Sequence, residues 1–410
     1  MEMAWDIHKD YVATLSLIDG ESVIDKRPRD VVEIPATYDE IENYVKTLPK
    51  DVKIVFEAGM AWEFIYDILV QHGIKPIVVN PADVQPPKKQ TRKKRNDFEA
   101  LKRMLTMLHM GVLESIVVLP KDERDRRDML RTRSYLVKQL VQTKNRILSL
   151  LAKQGIKPEF TDKFGVAGRK MIDGLTGARP FLISMHVELD ILDKLNEKIA
   201  EIDGEIAKTA LEIKAIQQLM TIPGLGCNLA STIIFELGNT ARFQNGRQLA
   251  CYIGLTPCLD QSGNIERLGH ISKEGNATLR WAFVEAANAH VRTKGINTDL
   301  KRLYDRVKGP KGHGKAVVAV ARKMAVVVHA MLRDGTFYVP MFETEDEKDL
   351  GTEPTVTVCL PIVGSVQLKE SVARKCKNKY QVLKHDAKEY DLGDPSKVCE
   401  KAVRLASEED

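Results

Sequence analysis

The sequence has no run of about 18 apolar residues, so it offers no membrane-spanning helix. It also has no CxxC pair. Its six cysteines, Cys227, Cys251, Cys258, Cys359, Cys376 and Cys399, are scattered, and no His–Cys cluster has the spacing of a zinc site. They read as reduced thiols of a cytoplasmic protein rather than as a disulfide framework. Asp6 and Asp10 interrupt the first apolar residues, which does not read as a secretory signal. Neither sign of charge dominates: 62 Lys and Arg stand against 57 Asp and Glu, a net charge of +5. That balance excludes a strongly acidic or strongly basic chain and shifts attention to where the charges lie.

What is present is an ordinary globular composition, 43% hydrophobic and 29% charged over 410 residues. The length suits two or three domains. Lys88, Lys89, Arg92, Lys93, Lys94 and Arg95 form a dense basic run, and 124–146 is rich in Arg and Lys. Basic segments in a folded chain suit a polyanion such as DNA, although a solvated helix face carries the same charges. Acid gathers at Glu343, Glu345, Asp346 and Glu347.

The first hundred residues alternate strand and helix signals. Tyr11–Ile18 reads as a strand closed by Asp19-Gly20, Val52–Phe56 as a second and Ile77–Val79 as a third. Ala61–Gln71 lies between the last two as a helix, which implies an α/β domain with a partly parallel sheet. Lys121 to about Gln154 reads as a long amphipathic helix. Val187 to Leu219 reads as another, its Leu192, Leu195, Ile199, Ile202, Ile206, Ile213 and Ile216 set at heptad spacing with Thr209 interrupting. Such a seam implies coiled-coil packing, either on the first long helix or on a second copy of the chain. Ile222-Pro223-Gly224-Leu225-Gly226 resembles a helix-hairpin-helix turn, whose amides approach a phosphate backbone. The boundaries fall at 1–115 for an α/β domain, 116–219 for the long helices, 220–342 for a mostly helical domain and 343–410 for an acidic, poorly ordered tail or small module.

Asp6 sits at the start of the first strand unit, Glu57 follows the second strand, and Asp97 begins a helix at 97–108. Acids at the carboxyl ends of strands share one crevice. Brought together they repel unless a cation lies between them, and hard oxygen donors select Mg2+ or Mn2+. Such ions serve phosphoryl transfer. Ser262 lies in a Gln-Ser-Gly segment read as a loop after a helix, ahead of Arg267, His270, Lys273 and Arg280. A serine among cations suits nucleophilic attack at phosphorus, while a plain Ser-Gly turn has the same composition.

In order, Asp6-Ile7-His8-Lys9, Phe56-Glu57-Ala58-Gly59, Val79-Asn80-Pro81, Asn96-Asp97, Leu130-Arg131-Thr132-Arg133, Lys144-Asn145-Arg146, Ile222–Gly226, Tyr252–Pro257, Gln261-Ser262-Gly263 and Lys273–Asn276 resemble the insertion-sequence one-ten family of DEDD transposases. That family includes bridge-RNA-guided serine recombinases and the related Piv-type DNA invertases. The resemblance spans about 4–340. It implies a RuvC-like (RNase H-like) N-terminal domain whose four acids hold Mg2+, with Asp6 first and Glu57 second. The last two are ordinarily aspartates three residues apart. Here either Asp97 is the fourth and Lys94 stands third, or Asp97 is the third and Ala100 stands fourth, with Glu99 as stand-in.

The resemblance further implies that Ser262 forms a phosphoserine link to DNA, in a site completed across subunits of a homodimer or tetramer, with a structured guide RNA pairing to the DNA. Lys88, Lys89, Arg92, Lys93, Arg95, Arg131, Arg133, Lys144, Arg146, Arg267, Lys273 and Arg280 are the expected nucleic-acid contacts. Transposition leads. A site-specific invertase, a nucleic-acid-binding relative without cleavage, and a junction nuclease needing only the acids are the competing functions.

Overall fold

The computed structural model describes residues 1–84, 97–262, 265–294, 298–338, 355–360 and 364–369. The chain divides into two compact units, Met1–Lys121 and Asp122–Asp410.

The first unit is a five-stranded mixed sheet. Its strands are β1 (Glu2–Ile7), β2 (Tyr11–Leu17), β3 (Val32–Pro35), β4 (Lys53–Glu57) and β5 (Ile77–Val79), in the order β3-β2-β1-β4-β5. β2 pairs antiparallel with β1 and β3, whereas β4 is parallel to both β1 and β5. Two-residue alternation sorts the side chains between the faces. Met3, Trp5, Ile54 and Phe56 join a core with Ile41 and Val45 of α1 (Tyr38–Lys46) and Ile65, Ile68 and Leu69 of α2 (Trp62–Gln71). Ala4, Val55 and Val79 face the other way. After the short α3 (Pro81–Val84), that face is covered by Phe98, Leu101, Met104, Leu105 and Leu108 of α4 (Asp97–His109). The three expected strands and the two expected helices are present. β1, β3 and α1 are additional, and Asp6 lies near the end of a strand rather than at its start.

In the second unit α5 (Lys121–Lys153) runs antiparallel to α7 (Arg179–Glu212). Ile147 and Leu151 meet Met185, Leu189 and Leu192, together with Ile172 of α6 (Val166–Asp173). At the opposite end Leu130 shares a core with Ile206 and Ala210. Within this chain, then, the heptad seam packs on the first long helix. The seam does not run to Leu219. Ile213 is extended (φ −105, ψ 105), and Gln217 of α8 (Lys214–Met220) donates through Nε2 to the carbonyl of Leu211 at 2.7 Å. A buried side-chain amide thus takes up a carbonyl that helix continuation would have used.

The remaining core is built on α13 (His313–Asp334). Its Ala316, Val320, Ala321, Met324, Ala325 and Val328 are fully buried against α9 (Cys227–Leu237), α10 (Gly246–Tyr252), α11 (Ala277–Arg292) and α12 (Asp299–Lys311). A two-stranded hairpin, β6 (Pro257–Ser262) with β7 (Ile265–Ile271), leaves this core between α10 and α11. A second hairpin, β8 (Thr355–Leu360) with β9 (Gly364–Lys369), lies in the stretch expected to be a tail or small module. Among the described residues no helix is long and apolar enough to cross a membrane.

Candidate cation site and serine hairpin

Two of the expected acids meet in the first unit. Asp6 nearly ends β1, and Asp97 is the first residue of α4, which packs across the same sheet face. The register Trp5↔Phe56 sets Asp6 beside Glu57 on the neighbouring parallel strand. Alternation turns both toward the α4 side, because Ala4 and Val55 two residues earlier lie in the α4 core. Glu57 is half-buried, whereas Glu99 is exposed on α4, where Phe98 and Leu101 take the inward positions.

A residue assigned no role from sequence completes the cluster. His8 Nε2 lies 3.5 Å from Asp6 Oδ2 and 3.5 Å from Asp97 Oδ2. Asp6, His8 and Asp97 each offer a ligand atom within 4.8 Å of the others. Tyr11 organises both neighbours. Its ring stacks on His8 at 4.5 Å, and its hydroxyl donates to Asp97 Oδ2 at 3.2 Å. Burial pushes the Asp6 carboxyl above its ordinary value; His8 opposes this, and the Asp97 charge adds to it. The site therefore disfavours its own negative charge, and a cation would relieve it. The donors present, two carboxylates and an imidazole with Glu57 alongside, fit a divalent ion.

Ser262 is the last residue of β6, opposite Ile265, not a loop residue after a helix. Its side chain, like that of Arg267, lies outside the described residues, as do Lys88, Lys89, Arg92, Lys93 and Arg95. The foot of the hairpin is closely built. Ser272 N–H donates to Thr256 O at 2.9 Å, and Arg280 donates to the carbonyls of Ile253 at 3.1 Å and Lys273 at 3.0 Å. Gly254 (φ +75) and Gly275 (φ +94) permit a backbone crossing, since a Cβ would stand 2.2 Å from Glu274 O and 2.0 Å from Tyr252 O respectively. Lys273 and Arg280 therefore belong to the foot, whereas Ser262 is near the tip. Eight residues at about 3.3 Å each separate Ile265 from Lys273, so the expected grouping of serine with these two cations does not form within one hairpin.

Several expected nucleic-acid contacts are engaged inside the unit. Arg131 holds Glu236 of α9 through two bonds, and Asn276, which caps α11, donates to the same carboxylate at 2.6 Å. Arg133 pairs with Asp203, and Arg146 with Glu188 at 2.6 Å, linking α5 to α7. The Lys144 ammonium lies over the Phe164 ring at 5.3 Å. In the Ile222–Gly226 turn, Gly224 (φ +91) packs closely on α11, where a Cβ would be 2.5 Å from the backbone nitrogen of His290, while Gly226 is exposed.

Residues 216–304, which contain the serine hairpin and its foot, match the family described as Transposase IS116/IS110/IS902 family. Similar proteins include the transposase for insertion sequence element IS1111A of Coxiella burnetii, 28% identical over 68% of this chain and 77% of that one. A probable family 20 transposase of Pseudomonas aeruginosa is 24% identical over 73% of this chain and 89% of its own length. The transposase for insertion sequence element IS1328 of Yersinia enterocolitica is also 24% identical, with the same coverage. These relatives define the class as transposases of insertion sequences. Residues 216–304 of the chain thus carry the domain of the Transposase IS116/IS110/IS902 family, and over 68–73% of its length the chain is similar to these transposases.

Proposed function

We propose that this transposase cuts and rejoins DNA by phosphoryl transfer, using Ser262 as nucleophile and a carboxylate site in a RuvC-like first unit. The observation that carries the proposal is the meeting of Asp6 and Asp97 on one sheet face, beside Glu57. Asp6, Glu57 and Asp97 would hold Mg2+ or Mn2+. Bound there, the ion would neutralise charge that develops on the transferring phosphate. Ser262 Oγ attacks phosphorus, the bond from phosphorus to a sugar oxygen breaks, and the serine proton ends on that departing oxygen. A second sugar hydroxyl then attacks the phosphoserine, which rejoins DNA and restores the serine.

Ser262 sits near the hairpin tip, away from Lys273 and Arg280, so its phosphate needs charges other than these two. A site completed by the carboxylate unit of another subunit in a homodimer or tetramer satisfies this need. A structured guide RNA would supply sequence recognition, which asks of the protein only shape and backbone contacts.

The test incubates the protein with Mg2+ or Mn2+, element-end DNA and RNA from the element's flanking non-coding region. A covalent protein–DNA adduct is expected, and Ser262→Ala abolishes it. Cleavage that survives Ser262→Ala would identify a carboxylate nuclease instead, and binding with no cleavage a relative that has lost the chemistry.

A further inference from the structure

We infer that the imidazole of His8 is itself a metal ligand, making the site a mixed nitrogen–oxygen site that ranks Mn2+ above Mg2+. The inference rests on the reading that Asp6 and Asp97 hold a divalent cation. It adds the atom that completes the set and the ion that the set prefers.

His8 Nε2 is 3.5 Å from a carboxylate oxygen on either side, and the three ligand atoms lie within 4.8 Å of one another. Neighbouring ligands on an octahedral ion with bonds of about 2.1 Å lie about 3 Å apart, so small side-chain rotations bring all three onto one ion.

The second observation concerns the nitrogen itself. Nε2 of His8 is shut off from water and has no hydrogen-bond partner. Buried polar atoms are nearly always satisfied, and this one points between two acids. A cation accepting its lone pair satisfies it. The ring is also fixed in advance: Tyr11 stacks on it with an interplanar angle of 29° and orients Asp97 through its hydroxyl. One residue thus positions two ligands, the kind of support that metal sites depend on.

The third observation is what the acidic set lacks. Glu99 is exposed and is not in the cluster, and the other candidates for the missing acid are Lys94 and Ala100, neither of them a carboxylate. His8 fills the vacancy with nitrogen. Mg2+ takes oxygen ligands and keeps its water, whereas imidazole bonds first-row ions readily, so the replacement moves preference toward Mn2+.

The test uses the untagged full-length protein without nucleic acid. Mn2+ is titrated while the free ion is read by electron paramagnetic resonance, with Mg2+ as competitor. Pulsed resonance then looks for nitrogen coupled to the bound ion. Wild-type protein is expected to show imidazole nitrogen on Mn2+. His8→Ala removes that signal and weakens Mn2+ at least about tenfold, with Mg2+ changing less. His8→Asp keeps a bound ion without the nitrogen signal and shifts the preference toward Mg2+. Bound Mn2+ without nitrogen coupling, or unchanged affinity in His8→Ala, overturns the inference and leaves His8 as an internal counter-ion. If Asp6→Asn also leaves Mn2+ binding intact, the cation reading of the site falls too; if only His8→Ala is silent, the His8 inference falls alone.

Discussion

Arg131 and Glu236 form a two-bond ion pair across 105 positions of sequence, at 2.8 and 2.9 Å, and the Glu236 side chain is only 2% exposed. A carboxylate so enclosed is tolerable only while its charge is matched. Arg131→Ala is expected to destabilise the second unit by about 3 kcal/mol, because among the described residues Asn276 alone remains on the acid. Urea unfolding reads this directly. DNA affinity, measured against salt, separates this role from a phosphate contact. Losing one such contact lowers the slope by about 0.9, whereas the folded Arg131→Ala protein should keep the wild-type slope.

Gly254 is the second test. Its φ of +75 and the 2.2 Å approach to Glu274 O leave no place for a methyl group. Gly254→Ala should cost about 1–3 kcal/mol from the backbone conformation alone, with the clash in addition. The damage should be local, raising hydrogen exchange in β6 and β7 while α13 stays protected. Gly269→Ala is the control: its Cβ would meet only Cys258, at 3.6 Å, an ordinary contact. Equal exchange in the two variants would refute the account of the hairpin foot.

Elements held by local periodicity were legible in the sequence. β5 is bounded by Asn80-Pro81, and α5 declares itself by a long apolar stripe; both lie where the pattern puts them. α1 was not legible, because only Ile41 and Val45 mark its buried side. The hairpin carrying Ser262 has a signal in the sequence: Gly263-Asn264 is a composition that two-residue strand connections use. His8 also had a signal, since it stands two residues beyond Asp6, the spacing at which extended chain returns to the same side. Arg131 had none. An arginine in a basic stretch resembles a phosphate contact until the fold reveals a buried acid 105 positions away.

His290 gives a pH dependence. It is 1% exposed, with Nδ1 donating to Pro223 O at 2.7 Å and Nε2 paired with the Thr298 hydroxyl at 2.8 Å. Burial lowers its pKa below the ordinary 6.5; the Pro223 bond opposes this, and Lys301 adds to it. Between the two values the unfolded chain binds the proton and the folded one does not. Stability from this residue is therefore complete above about pH 6.5, is lost as pH falls, and stops falling below the folded value. Urea midpoints between pH 8 and pH 5 should show the decline, and His290→Gln should flatten that part of the curve.

Asp6 gives a dependence of the opposite sign. Its pKa is raised in the fold, chiefly by burial, so the charged form costs stability above the folded value, and the cost disappears below the unfolded 3.8. At pH 7 and with chelator present, Asp6→Asn should therefore melt higher than wild type, because it removes both the desolvated charge and its repulsion with Asp97. Adding Mn2+ should reverse the order. An ion that binds only the folded state stabilises it by mass action, so wild type should rise with concentration while Asp6→Asn stays flat. Melting both proteins across a Mn2+ series checks the two halves together. A variant less stable than wild type in chelator would show that His8 already satisfies Asp6 without an ion, and parallel curves would show that Asp6 is not a ligand.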